Sequence, residues 1–139
     1  MSEVLEREKL SLKILSSVQR VNGYDVLELD RGYAKILFKL DNAETLDNSS
    51  TVFEAELYKA ANFCALVCIN EENTFVVNAN VDFLTQVEVS SNEIVFEAKS
   101  ISSSLGKKFI EVRAKIDEIT VFMGNFTVLK MDGRSKIKI

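Results

Sequence analysis

The 139-residue chain has no histidine and no proline, only two cysteines and only five glycines. The missing histidine excludes the most. Without an imidazole there is no Ser-His or Cys-His nucleophile pair, no histidine general base and none of the commonest transition-metal ligand. Much hydrolase chemistry is lost with it. Two sulfurs, Cys64 and Cys68, do not make a structural zinc site, and four residues apart in an apolar stretch they read as small core residues. No low-complexity tract and no internal repeat is present. The net charge of -4 gives no broad basic footprint, so a dedicated nucleic-acid binder is not expected. No run is long enough to span a bilayer. The N-terminal "MSEVLEREKLSLKILSS" begins with acidic residues and lacks the apolar core of a signal peptide. These absences lead us to expect a cytoplasmic protein with reduced thiols, no metal, no cofactor and no membrane contact.

What is present suits one folded domain. The length can bury a sizeable core, and 47% hydrophobic with 27% charged residues argues against disorder. Residues 4 to 21 place Val4, Leu10, Ile14, Leu15, Val18 and Val21 on one side of a helical wheel, which predicts an amphipathic docking helix. "DVLELD" and "YAKILFKL", joined at Arg31-Gly32, read as a hairpin. Thr51 and Glu54 match a capping box for the long apolar helix that follows and ends near Asn70. Four strands are expected over 74–89, 93–101, 107–116 and 119–131, with turns at Ser90-Ser91-Asn92, Leu105-Gly106-Lys107 and Asp117-Glu118. This order predicts an α+β fold in which an antiparallel sheet carries helices on one face. Residues 1–21 form the extra helix, 22–131 the domain and 132–139 a basic tail.

The helix "EAELYKAANFCALVCI" is the informative stretch. Glu56, Lys59 and Asn62 form one polar stripe about 120° wide, with Glu54 well away from it. From Phe63 onward the helix is apolar all round, so it must be enclosed on every side. A single flat sheet cannot do that; a strongly curved sheet or a second subunit is required. The charges admit two readings. In one, Glu56 and Lys59 form a surface ion pair, Glu54 completes the capping box and Asn62 is a satisfied amide. In the other, the free N–H groups of the first turn can hold an anion or polarise a carbonyl oxygen, with Glu56 and Asn62 facing the ligand.

"VLELDRGYAKILFKL", "LYKAANFCALVCINEE", "NANVDFLTQVEV" and "VFMGNFTVLK" resemble the hotdog-fold acyl-CoA thioesterases and acyl-thioester-binding domains over residues 22–131. The similarity is greatest to the effector-binding domain of repressors that sense malonyl-CoA, and looser to flagellum-coexpressed hotdog proteins. The resemblance implies a hotdog fold, a long central helix wrapped by a curved sheet. It also implies a homodimer joined edge to edge through "VVNANVDFL". Alternation in that strand puts Phe75, Val77, Ala79, Val81 and Phe83 over the helix. By the same resemblance the site lies where the start of one central helix meets the partner's strand. That implicates Phe53, Glu54, Glu56 and Asn62, with Asn78 or Asn80 beside them. Lys107 and Lys108 can meet the phosphates of coenzyme A, or be only a solvated hairpin charge pair. The sequence departs from the family where many members carry a His-Gly pair: here stands "STVFEAE". The farther acidic position holds Asn62, and Phe53 stands where the repressors carry an arginine, which argues against malonyl specificity.

Three functions follow as expectations. The first is a dimeric binding protein for an acyl thioester, acyl-CoA or acyl-carrier protein, with weak or no hydrolysis. The second is a thioesterase in which Glu56 or Glu54 activates water while helix amides polarise the thioester carbonyl. The third is a protein-interaction module with a vestigial acyl site. About 20 residues ahead of the domain are too few for a complete helix-turn-helix, so no direct nucleic-acid contact is expected.

Overall fold

The computed structural model describes residues 10–131. Helix α1 spans Ser16–Asn22, and strands β1 (Tyr24–Asp30) and β2 (Tyr33–Lys39) form the expected hairpin. The central helix α2 (Ala55–Ile69) precedes β3 (Thr74–Phe83), β4 (Glu93–Ser104), β5 (Lys107–Ile116) and β6 (Ile119–Lys130). The six strands make one sheet in the order β1-β2-β4-β5-β6-β3, every neighbour antiparallel. Helix α2 touches all six strands, which gives the α+β arrangement that the sequence predicts.

The strands bury one face by strict alternation. Ala34, Ile36 and Phe38 of β2, Ile94, Phe96 and Ala98 of β4, and Ile110, Val112 and Ala114 of β5 are all buried. Lys35, Glu97, Arg113 and Lys115 point outward between them, as a sheet covered on one side requires. Against the buried face α2 sets Ala60, Ala61, Cys64, Ala65 and Cys68, whose small side chains let the helix lie close. The Cys64 thiol donates to the Ala34 carbonyl oxygen at 3.8 Å. Tyr24 packs its ring 5.3 Å from Phe38 and 4.8 Å from Phe63, tying β1 to the same core.

Several expectations need correction. The capping box does not form: the helix begins at Ala55 with Glu54 as an N-cap that makes no side-chain bond. The Thr51 hydroxyl donates instead to Glu88, 2.7 Å away, because a short bridge pairs these two residues. The helix expected over 4–21 is described only from Ser16. Leu10 to Leu15 are not helical, Val21 is 84% exposed, and residues 1–9 lie outside the described chain. So does the basic tail, 132–139. Strand β3 stops at Phe83 rather than 89, and the chain folds in again at the buried Val87, whose carbonyl accepts from the Val52 N–H at 2.7 Å.

Alternation along β3 also breaks. A bulge at Val77 shifts the phase, so Val76 faces the core opposite Val128, while Phe75 lies opposite Leu129 on the other face. Ala79, Val81 and Phe83 stay on the core side, opposite Phe126, Gly124 and Phe122. Gly124 is required there. A Cβ on it would sit 2.8 Å from the Phe126 ring and 2.9 Å from Val81.

Most of the apolar half of α2 is buried within one chain. Its outer stripe is only partly buried at Leu66 and Ile69, with Ile14, Leu15 and Val18 of the N-terminal segment beside Leu66. Asn70 clasps that segment: its Oδ1 accepts from the Lys13 N–H at 2.8 Å, and its Nδ2 donates to the Ser11 carbonyl at 2.9 Å. Asn70 sits at φ 56° as the left-handed residue ending α2, where its N–H meets the Leu66 carbonyl.

Candidate active site

The loop into α2 is a small ribbon pinned at both sides. Thr45 bridges Val52, and Phe53 N–H donates to the Glu44 carbonyl at 2.8 Å. Ser50 and Thr51 hydroxyls both donate to Glu88, which holds that carboxyl below its usual range. The first turn of α2 is thereby presented on a fixed frame. Glu56 and Leu57 N–H groups donate to the Phe53 and Glu54 carbonyls. The Glu54 and Ala55 N–H groups have no acceptor among the described residues.

Glu56 is the best-held charge at this mouth. Its side chain is only 10% exposed. One oxygen receives the Lys59 ammonium at 2.9 Å and the other the Glu44 N–H at 2.9 Å. The expected Glu56–Lys59 pair therefore forms, with Glu56 buried rather than on the surface. The Tyr24 hydroxyl is buried without a hydrogen-bond partner, and its pKa is raised, first by burial and then by the negative charge of Glu56. Nothing in the sequence marks Tyr24, or the backbone N–H of Glu44, as part of this cluster.

The remaining candidates are dispersed within one subunit. Phe53 and Glu54 are exposed at the helix start, and Asn62 is half-buried on the outer stripe, about 9 Å along the axis from Glu56. Asn78 and Asn80 pair with Thr127 and Asn125 on the sheet face turned away from α2, and both are exposed. Lys107 lies opposite Leu129 on that same outer face. Lys108 lies opposite Val128 on the helix side, near the C-terminal end of α2. There burial pushes the Cys68 thiol up to about 12, a backbone hydrogen bond from Ser100 and the charge of Lys108 offsetting part of the rise. The two lysines thus stand roughly a helix length, about 20 Å, from Glu54. One chain brings together Glu56, Lys59, Tyr24 and the leading amides of α2, with Phe53 and Glu54 at the rim.

Among the described residues no cluster of three or more His, Cys, Asp or Glu could hold a metal ion. None of their helices is long and apolar enough to cross a membrane.

No protein-family model matches this chain. Over 115 residues it is 30% identical to methylthioribose-1-phosphate isomerase of Aquifex aeolicus, a stretch that covers 82% of this chain but 25% of that protein. The chain therefore spans about a quarter of the length of that relative. Among solved structures, the uncharacterized protein PH1136 of Pyrococcus horikoshii superposes with a TM-score of 0.82 at 21% identity, covering 89% of this chain and 95% of the other. The HP0420 homologue of Helicobacter felis gives 0.78 at 24% identity over 91% and 89%. The PaaI protein of the E. coli phenylacetic acid degradation operon gives 0.72 at 14% identity over 85% and 86%. At these identities the likeness is one of architecture: a six-stranded antiparallel sheet wrapped on one long helix, shared with hotdog neighbours, and this chain has the hotdog fold.

Proposed function

We propose that this chain is a homodimeric acyl-thioester-binding protein, taking acyl-CoA or acyl-carrier protein, with weak or no hydrolysis. The observation that carries the reading is the occupancy of Glu56. Both carboxylate oxygens are engaged by donors, Lys59 Nζ and the Glu44 N–H, each at 2.9 Å. A carboxylate tied on both oxygens is a poor general base, since a base must reach the proton it removes. The unpaired Glu54 and Ala55 amides beside it suit a thioester carbonyl oxygen. Phe53, 42% exposed at this rim, offers an apolar contact, which suits an uncharged acyl group better than malonyl. Dimerisation is supported by β3, which pairs only with β6 among the described strands and leaves Val77 and Phe83 exposed. Of the two lysines, which lie on opposite faces of the sheet, Lys108 on the helix side is our candidate for the coenzyme A phosphates, with Lys107 turned to the outer face.

Glu54 favours a second reading, because its exposed carboxylate makes no bond among the described residues: a slow thioesterase with Glu54 as base. The similarity to one quarter of an isomerase favours a third, an interaction module that works joined to other proteins. One screen separates them. Thermal shift across short to long acyl-CoAs, with free-thiol release measured in parallel, should show stabilisation with negligible thiol release. Thiol release abolished by Glu54→Gln would establish the second reading, and no stabilisation by any acyl thioester would leave only the third.

A further inference from the structure

Two grooves run along the outer side of α2, beneath the N-terminal segment. The first, about 270 Å³, has Leu15 and Val18 on one wall and Tyr58, Phe63 and Leu66 on the other. Its surface is almost wholly apolar; Lys59 borders it at the end nearer the start of the helix and Asn62 midway along. The second, about 320 Å³, lies beyond and is bounded by the same Leu15 and Leu66, together with Ile14 and a polar far wall of Glu71, Glu72, Asn73 and Thr74. Leu15 and Leu66 are therefore the partition between the two. Leu15 is held there at φ 56°, ψ 27°, a left-handed conformation that leucine rarely adopts. Asn70 fixes the segment that carries it, through Ser11 and Lys13.

We propose that the first groove holds the hydrocarbon of the acyl thioester, and that the Leu15–Leu66 partition sets the longest chain accepted. The inference rests on the acyl-thioester reading above. An acyl chain is the occupant that fits: the apolar walls receive the methylenes, and the end bordered by Lys59 lies toward the free Glu54 and Ala55 amides that suit the carbonyl oxygen. Lys59 spends one donor on Glu56 and is half exposed, so its ammonium has further donors to offer. The Asn62 amide makes no hydrogen bond among the described residues. From Tyr58 to Leu66 the groove follows about 12 Å of helix, room for a chain of medium length.

The test is isothermal titration of the full-length protein with saturated acyl-CoAs of increasing length. Wild-type affinity should rise about fourfold per methylene until the chain meets the partition, then stop rising. Leu66→Ala should move that break to slightly longer chains by opening the partition, with a smaller gain per methylene where the polar wall of the second groove begins. Leu15→Gly should do the same, and it keeps the chain foldable because glycine adopts this φ without strain. Val18→Trp, filling the groove from its rim, should move the break to shorter chains. An unchanged break in all three variants, with wild-type binding intact, overturns the inference and leaves the acyl-thioester reading standing. So does a change in sedimentation without a change in affinity, which would make the groove a contact between copies. If wild-type protein binds no acyl-CoA, both fall together.

Discussion

If Glu56 is a tether rather than a base, replacing it should damage stability before it damages chemistry. The carboxylate receives a charge-assisted bond from Lys59 and a backbone bond from Glu44, each at 2.9 Å, in a side chain only 10% exposed. Glu56→Ala removes both and leaves the Glu44 N–H without an acceptor. Glu44 is exposed and water can reach the freed N–H, so losing that bond costs about 1 kcal/mol. Breaking a fully buried ion pair from one side costs roughly 3–5 kcal/mol, but Lys59 is half exposed and recovers its hydration, so only part of that applies. The sum is about 2 kcal/mol. Glu56→Gln keeps an acceptor for Glu44 and loses the charge, which should cost about 1–2 kcal/mol. Urea unfolding followed by circular dichroism measures both, and the midpoint should fall with little change in slope. Glu56→Ala within about 0.5 kcal/mol of wild type would refute the tether. A stable Glu56→Gln variant that lost a measurable thioesterase rate would return Glu56 to the role of base.

Three further outcomes follow from the packing. Gly124→Ala should destabilise by about 1–3 kcal/mol in the same urea assay, because the new methyl would press on Phe126 and Val81 at under 3 Å. Asn70→Gly keeps the φ of 56° without strain but deletes both clasp bonds; hydrogen exchange at residues 11–18 should accelerate while that of β4 and β5 does not. Burial raises the Cys64 thiol and the Tyr24 hydroxyl and pushes Cys68 up from 9.0 to about 12. The folded chain then keeps protons that the unfolded chain has released. Stability should be full below pH 9 and fall as pH rises towards 12, by up to about 1.4 kcal/mol per unit for each group, and Cys68→Ala should flatten that fall.

Most of the fold is legible because its signals are local and repeated. The Arg31-Gly32 turn, the β5 limits and the turn at Asp117-Glu118 can be read from alternation and turn residues alone. What escapes the sequence is decided between distant segments. Thr51 looks like a cap, but Glu88, 37 positions away, takes its hydroxyl. The Val77 bulge is invisible because "TFVVNANVDF" alternates without a break, apolar at every odd position from Phe75 to Phe83, and only the pairing with β6 shows the shift of phase at Val76. The same holds at the site. The Glu56–Lys59 pair is local and was readable from its spacing, whereas Tyr24 and the Glu44 amide reach Glu56 only through tertiary folding. The all-apolar half of α2 correctly demands a cover on every side. On the outer stripe Ile14, Leu15 and Val18 of the same chain supply part of it, on a segment held by Asn70, which looks in the sequence like a simple helix end.

The lost capping box has a consequence for the ligand reading. A helix start without a side-chain cap forgoes about 1 kcal/mol. Proteins usually recover this with serine, threonine, asparagine or aspartate, and serine and threonine stand close by at Ser49, Ser50 and Thr51. Here Ser50 and Thr51 are turned to Glu88 and the Ser49 hydroxyl accepts from the Thr51 N–H, so all three fix the loop instead of capping the helix. Glu56 fixes the other side of that loop through Glu44. The leading amides of α2 are therefore immobilised and unpaired together. A flexible uncapped end would gain little from a ligand oxygen, because binding would have to order it first. An immobilised one loses no such entropy, so a carbonyl oxygen placed there gains its hydrogen bonds in full. On this reasoning Thr51→Val, which loosens the loop without touching the amides, should weaken acyl-thioester binding while costing unliganded stability only about 1 kcal/mol for the lost bond to Glu88. Isothermal titration beside urea unfolding separates the two effects, and equal affinity in the variant would argue against a rigid mouth as the source of binding.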